Sequence, residues 1–181
     1  MPKYLGLLLV IISWIIAVVL IAKLRNKDLV TISHHAASTR KAHIIFITVL
    51  IGLGLPFYIW IYKWLAPNTI NVEVFRYLLV LSFALQAVTA LAPDTNGWTR
   101  ALHRFAAYSM AALYLPLVIM IADSSKLSNF AQGFAAVVAI YMLFTIISIS
   151  LFKKMKQHYI IFQTLYVVAM QSTILLGVYT K

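Results

Sequence analysis

The sequence predicts an all-α polytopic membrane protein, a bundle of six transmembrane helices that form one domain over residues 1–181. Hydrophobic residues make up 63% of the chain and charged residues only 10%, whereas soluble domains carry about 25% charged residues. Apolar runs recur along the whole chain, each close to the roughly 20 residues that a helix needs to cross a hydrocarbon core of about 30 Å. Basic residues collect in the short connections between these runs.

The helices are expected at six apolar runs: Tyr4–Ala22, Ala42–Tyr62, Phe75–Ala92, Leu102–Ala122, Phe130–Phe152 and Tyr159–Tyr179. The first run is longer than the apolar part of a signal peptide and is followed by basic residues, so we interpret it as a membrane helix. Pro56 and Pro116 lie inside the second and fourth runs. Each removes a backbone donor, and we expect each to bend its helix.

The basic residues predict the topology. The chain has 15 Lys and Arg against 4 Asp and Glu, a net charge of +11. Loops 1, 3 and 5 hold ten of the basic residues: Lys23, Arg25, Lys27, Arg40, Lys41, Arg100, Arg104, Lys153, Lys154 and Lys156. The positive-inside rule then places these loops in the cytoplasm and both termini outside. The charge favours anionic lipid headgroups as partners and not nucleic acid, because no loop is long enough to form a nucleic-acid-reading module.

All five histidines lie on the predicted cytoplasmic side: His34, His35, His43, His103 and His158. His34, His35, His103 and His158 are candidate ligands for zinc or iron, and Asp94 and His103 are the candidate catalytic residues. A metal-activated water could then act on a lipid ester, amide or phosphate. Paired histidines could instead hold haem, although their places at helix ends make this the weaker alternative. Interfacial histidines can also simply bind phosphates or cap helices.

The segment from Ala92 to Arg104 predicts a tight turn that leads into a helix. Pro93 ends one helix, Asp94 to Asn96 are turn and N-cap residues, and Gly97 permits a positive φ. Arg100, His103 and Arg104 are spaced to share one helical face at headgroup level. These three residues are the candidate lipid-binding residues, with Asp94 expected to orient His103.

Polar side chains inside the runs form a candidate seam: Ser82, Gln86, Thr89, Gln163 and Gln171. The seam could line a channel for a small solute, or its members could form ordinary interhelical hydrogen bonds. No ionisable residue falls in the middle third of any run, which argues against an ion-coupled transporter. Small residues such as Ala107 and Ala111 permit close helix packing and a homo-oligomer.

The six-helix plan resembles a known family in three short features: Ser33 in the first loop, Pro93-Asp94 after the third helix, and His103 at the start of the fourth. Together they are similar to the DUF 998-type family of prokaryotic membrane proteins of unknown function, which is distantly similar to the Frag, DRAM and Sfk membrane proteins. The resemblance covers nearly the whole chain. It implies a prokaryotic cell membrane and the six-helix plan, without an assigned reaction. Ala92 departs from the pattern, in which a bulky aromatic residue often precedes the proline.

Two functions of different classes follow from these observations. The first is a protein that binds lipid headgroups at its basic, histidine-rich face. The second is a metal-dependent intramembrane enzyme that acts on lipids. The resemblance adds an association with lipid handling through its eukaryotic relatives, at the level of fold alone. Some of the family's members place the first loop outside the cytoplasm, contrary to the charge count.

Overall fold

The computed structural model describes residues 1–24, 33, 36–37, 39–151 and 159–180. These residues are helical and contain no strand. The helices are α1 (Leu5–Leu24), α2 (Arg40–Gly52), α3 (Gly54–Trp64), α4 (Val72–Leu91), α5 (Gly97–Ala122), α6 (Asn129–Leu151) and α7 (Tyr159–Tyr179), with a short 3₁₀ turn at Ala66–Asn68. The predicted all-α class is therefore confirmed.

Five segments are long and apolar enough to cross a membrane: Arg40–Asn68, Val72–Leu91, Gly97–Ala122, Asn129–Ile149 and Ile161–Tyr179. A shorter apolar stretch, Leu5–Ile16, lies in α1. Large apolar side chains also cover the outside of the bundle, among them Ile140 at 71% exposure and Phe105 at 67%. So many exposed large apolar side chains are unusual on a soluble monomer and are normal where lipid is the solvent. The chain therefore has the architecture of an integral membrane helical bundle.

Local capping explains where two helices begin. α4 begins at Val72, earlier than the expected Phe75, because the Asn71 side chain accepts a hydrogen bond from the Val74 amide at 3.2 Å. Side-chain oxygens at this N-cap position satisfy amides that the first helical turn leaves free. α5 begins at Gly97, earlier than the expected Leu102. Arg100, His103 and Arg104 consequently all lie on the helix itself.

The second apolar run is divided at Leu53 into α2 and α3. The cause is Pro56, which has no backbone N–H and whose ring crowds the carbonyl of residue 52. Gly52 and Gly54 flank the break and weaken the helix further. The helix is thus interrupted in the run where we expected a bend. Pro116, by contrast, lies inside α5, which is one helix from Gly97 to Ala122.

The core lies between consecutive helices. α4 packs against α5, α5 against α6 and α6 against α7, while α1 contacts both α3 and α7. Its most deeply buried large side chains include Trp60, Phe75, Val118, Met142 and Val178. These residues come from five different helices, so the apolar interior is shared across the bundle.

Hydrogen bonds join the elements at one end of the bundle, which we call the N-terminal end: residues 1–4, 64–71, 123–128 and 179–180. The Lys3 carbonyl accepts from Trp60 Nε1 and from the Tyr179 hydroxyl, each at 2.7 Å. The Ser124 hydroxyl donates to the Asn68 carbonyl, and Ser128 and Thr180 are bonded at 2.9 Å. The turn from α4 to α5 lies at the opposite end, which we call the Asp94 end.

Candidate functional site

The turn between α4 and α5 gives the Asp94 end its shape. Ala92 is extended (φ −86°, ψ 111°), as expected for a residue that precedes a proline. Gly97 has a φ of +59°, a backbone conformation that residues with a Cβ rarely adopt. The chain therefore turns within a few residues, and α5 starts beside the end of α4.

Asp94 lies beneath two arginines at this turn. Its Oδ1 is 3.4 Å from Arg100 Nε and 3.7 Å from Arg104 Nε. The Asp94 side chain is only 6% exposed, whereas those of Arg100 and Arg104 are 35% and 56% exposed. Neither Asp94 Oδ1 nor Arg100 Nε has a partner with hydrogen-bond geometry among the described residues. The three side chains are thus associated by charge, with the carboxylate inside and the guanidinium groups towards the surface.

The start of α5 adds a partial positive charge to the same place. Asn96 is the N-cap, but its side chain makes no capping hydrogen bond, and the first turn contains no acidic residue. Exposed amides and the helix dipole favour an anion at such an end. Arg100 and Arg104 follow within the next turns. The helix terminus and the arginine pair therefore favour the same kind of ligand.

His103 is buried at 4% exposure, and its Nδ1 lies 2.8 Å from the Ala92 carbonyl oxygen. Because a carbonyl can only accept, Nδ1 carries the proton of this hydrogen bond. The group that orients His103 is thus the end of α4, whereas we expected Asp94. His103 joins α5 to the end of α4, and among the described residues the arginine pair forms the surface part of the site.

Most of the residues predicted to bind a metal lie outside the described residues. His34, His35 and His158 all lie there, as do five of the predicted cytoplasmic basic residues: Arg25, Lys27, Lys153, Lys154 and Lys156. Within the described residues, no three His, Asp or Glu side chains come together as a metal site would require. The zinc or iron site, and the haem alternative that uses the same histidines, stay predictions.

Most polar side chains of the candidate seam take part in separate hydrogen bonds. Ser82 and Thr89 donate to the carbonyls of Leu78 and Leu85 on their own helix, each at 2.8 Å. Gln171 Oε1 accepts from Trp14 Nε1 at 2.6 Å. Gln163 Oε1 is buried without a hydrogen-bond partner among the described residues. Gln171 thus makes an interhelical hydrogen bond, as in the alternative to a channel, whereas Ser82 and Thr89 bond within their own helix.

Gln86 is the centre of a polar cluster at the break between α2 and α3, which we call the Gln86 cluster: Gln86, Leu50, Tyr58 and Tyr114. Its Nε2 donates to the Leu50 carbonyl at 2.7 Å, and its Oε1 accepts from the Tyr58 hydroxyl at 3.2 Å. Tyr58 and Tyr114 share a further hydrogen bond at 2.6 Å. Gly54 leaves room for the amide, because a Cβ there would collide with Gln86 Nε2. Sequence reasoning missed both tyrosines, although Gly54 and Pro56 already marked the break.

A small cavity of about 20 Å³ adjoins Tyr58 and Tyr114 and is otherwise lined by apolar side chains such as Phe75, Leu117 and Met170. A cavity needs at least about 10–15 Å³ of water-accessible volume to hold one water molecule. This cavity is therefore at the scale of a single water. It cannot receive a lipid headgroup or a drug-sized substrate, which occupy pockets of about 300 Å³ or more.

Comparison with known proteins found no matching family model, no matching curated protein and no matching solved structure.

Proposed function

We propose that the protein is a six-span integral membrane protein that binds the phosphate of anionic lipid headgroups through Arg100 and Arg104. The sixth span is α1, whose 20 residues correspond to about 30 Å of helix, the thickness of a hydrocarbon core. The positive-inside rule places the Asp94 end in the cytoplasm and both termini outside. The cytoplasmic leaflet is where anionic lipids attract basic protein segments most strongly.

The arginine pair above a buried carboxylate supports this proposal most directly. Arg100 and Arg104 lie one turn apart on α5, and both contact Asp94 Oδ1 through Nε. A contact through Nε does not use the two terminal amino groups of a guanidinium. Those groups are the donors with which arginine binds a phosphate in a bidentate manner. The site thus presents two phosphate-binding forks at the start of a helix.

Neighbouring aromatic residues support a position at the membrane surface. Trp98 is 78% exposed, and Phe105 and Tyr108 are 67% and 55% exposed. Tryptophan and tyrosine concentrate at the headgroup level of membranes, where one end of the ring is apolar and the other meets water. Trp98 and Phe105 flank the arginine pair in sequence, so their exposed rings support a headgroup-level position for this part of α5.

The test is the double variant Arg100→Ala with Arg104→Ala in nanodiscs of phosphatidylcholine that contain phosphatidylglycerol. We expect native mass spectrometry to show several-fold less retained phosphatidylglycerol than in the wild type, because both phosphate donors are gone. The matched control is Lys63→Ala with Lys126→Ala, which removes two exposed cations, one on the last turn of α3 and one at the N-terminal end. Equal retention by both double variants would contradict the proposal.

The alternative function is a metal-dependent enzyme that acts on lipids, and one observation favours it. Histidines that bind metals usually donate their second ring N–H to a carbonyl or carboxylate, and His103 Nδ1 makes such a bond to Ala92. Its Nε2 would then be the ligand atom, with His34, His35 and His158 as further candidates. Elemental analysis of untagged protein tests this. Near-stoichiometric zinc or iron that is lost in His103→Ala would support the enzyme, and metal-free wild type would exclude it.

A further inference from the structure

The arginine site presents positive charge on its exposed side. Its charged side chains are Arg100, Arg104 and Asp94, which together leave one net positive charge. The Asp94 side chain is 6% exposed, whereas those of Arg100 and Arg104 are 35% and 56% exposed. A ligand at the surface therefore lies nearer to the guanidinium groups than to the carboxylate, and the site attracts anions more strongly than its net charge suggests.

The start of α5 adds to this attraction. Arg100 lies in the first turn of the helix, which contains no acidic residue and whose N-cap side chain makes no capping hydrogen bond. The helix dipole places about half a positive charge at such an end. Asp94 is the one acid in the sequence between Pro93 and Arg104. No exposed acid of this segment competes with a ligand for the arginines.

The charge of the ligand then determines the strength of binding. A lipid phosphodiester carries one negative charge, whereas a phosphomonoester carries about −1.5 to −2 at pH 7. The Coulomb attraction to a given positive site is proportional to the charge of the ligand. The arginine site therefore attracts a phosphomonoester more strongly than a phosphodiester.

The number of donors at the site favours the same class of ligand. Arg100 and Arg104 contact Asp94 through Nε, a geometry that leaves the two terminal amino groups of each guanidinium for a ligand. Each guanidinium can bind two phosphate oxygens in a bidentate manner. A phosphodiester has only two unesterified oxygens, which both arginines would have to share. A phosphomonoester has three, so each arginine can bind a different pair.

We propose that the arginine site prefers lipids whose headgroup is a phosphomonoester, such as phosphatidate, over lipids whose phosphate is a diester. This inference rests on the proposed lipid-binding function and names the class of headgroup. Arg100 and Arg104 distinguish the two classes by charge and by the number of oxygens that they bind.

The first experiment compares phosphatidate with phosphatidylmethanol, at equal mole fractions and with the same acyl chains, in phosphatidylcholine nanodiscs with the wild-type protein. The two lipids differ by one methyl group on the phosphate, which converts the monoester into a diester with a single charge. We expect native mass spectrometry at neutral pH to show about three- to fivefold preferential retention of phosphatidate, the size of a partly exposed charge interaction. Equal retention, or more phosphatidylmethanol, overturns the inference.

The second experiment uses Arg104→Gln, which leaves Arg100 and Asp94 with no net charge and a single guanidinium. We expect the preference for phosphatidate to fall to about one. The matched control is Arg76→Gln on α4, where the arginine also pairs with an acid, Glu73, at 3.3 Å. This control should keep the wild-type preference. An undiminished preference in Arg104→Gln, or an equal loss in both variants, would show that phosphatidate is retained by the general charge of the protein and not by this site.

A third experiment distinguishes the lipid from a soluble phosphomonoester. Glycerol 3-phosphate at millimolar concentration carries the same phosphate group without acyl chains. We expect it to displace little phosphatidate, because the acyl chains hold the lipid phosphate at the bilayer surface beside α5. Complete displacement at this concentration would mean that the ligand is the free phosphomonoester, which contradicts the assignment to a lipid.

The inference and the proposed function can fail separately. If Arg100→Ala with Arg104→Ala retains both lipids as the wild type does, the lipid-binding function fails. If that double variant loses both lipids while the wild type retains them equally, the function stands and only the headgroup class is wrong.

Discussion

The hydroxyl oxygens of Tyr58 and Tyr114 lie 2.6 Å apart and join the two proline-containing segments of the bundle. Tyr58 belongs to α3, just after Pro56, and Tyr114 lies on α5, just before Pro116. Both residues are buried, at 7% and 5% exposure. A proline weakens the backbone bonding of its own helix, so bonds from side chains to a neighbouring helix become more important there.

Tyr114→Phe should therefore lower stability. The substitution keeps the ring and removes the hydroxyl that bonds Tyr58, so we expect a loss of about 0.6–1.7 kcal/mol, the range found for hydrogen bonds between membrane helices. Reversible unfolding in mixed detergent micelles measures this change. Tyr77→Phe is the control, since Tyr77 is 76% exposed and should show no loss. Equal effects at the two positions would argue against the Tyr58–Tyr114 bond.

Gly54→Ala should disturb the Gln86 cluster. A Cβ at residue 54 would collide with Gln86 Nε2, so the amide must leave the Leu50 carbonyl or α3 must move. We expect a loss of about 1–3 kcal/mol, as for other overpacked sites. Gly133→Ala is the matched control, because a Cβ there meets nothing within 4 Å and alanine favours the helix.

A double-variant cycle with Gln86→Ala tests whether the collision is with this side chain. With the glutamine side chain truncated, Gly54→Ala should cost much less than it does alone, since the obstructing amide is gone. Additive effects of the two substitutions would show that residue 54 acts through another contact.

Trp14→Phe should loosen the attachment of α1 to α7. The indole Nε1 of Trp14 donates to Gln171 Oε1 at 2.6 Å, and Gln171 is 8% exposed. Among the described residues, loss of the donor leaves that oxygen with the longer bond from Ser13, at 3.3 Å. We expect a loss of about 0.6–1.7 kcal/mol in the same unfolding measurement. Trp98→Phe, at a residue that is 78% exposed, should leave stability unchanged.

His103→Ala should weaken both stability and lipid retention. The variant loses the bond from Nδ1 to the Ala92 carbonyl, which leaves a buried acceptor unsatisfied and frees the start of α5. An unsatisfied buried acceptor lowers the free energy of unfolding by about 1–3 kcal/mol. We expect lower phosphatidylglycerol retention as the arginines lose their placement. His43→Ala removes a partly exposed histidine from α2 and should change neither quantity.

The sequence predicted the helical class and the apolar runs because lipid imposes a simple rule, a long apolar stretch for each crossing. It also predicted a disturbance of the helix near Pro56, as a bend and not as the interruption that the structure has, since a missing N–H has a local effect. The partners of Gln86 and Gln171 could not be predicted. They depend on which faces of distant helices meet, and Tyr58 lies 28 residues before Gln86 while Trp14 lies 157 before Gln171.

In the candidate site too, the local features could be predicted from the sequence, whereas the partners of the side chains could not. The turn residues and the arginine spacing could be predicted, since both follow from neighbours in the chain. We expected Asp94 to orient His103, but Asp94 lies under the arginines and the histidine bonds to a backbone carbonyl. Side-chain pairing at a turn depends on the direction in which each residue leaves the backbone, which spacing alone does not specify.

The Gln86 cluster has a consequence for amide hydrogen exchange. A single side chain on α4 bonds the backbone of α2 and the hydroxyl of Tyr58 on α3, and Tyr58 in turn bonds Tyr114 on α5. None of these segments can open at this level without breaking a bond shared with another. The central amides of the four helices should therefore become exposed together, as one cooperative unit, and Gln86→Leu should divide that unit into segments that exchange at separate rates.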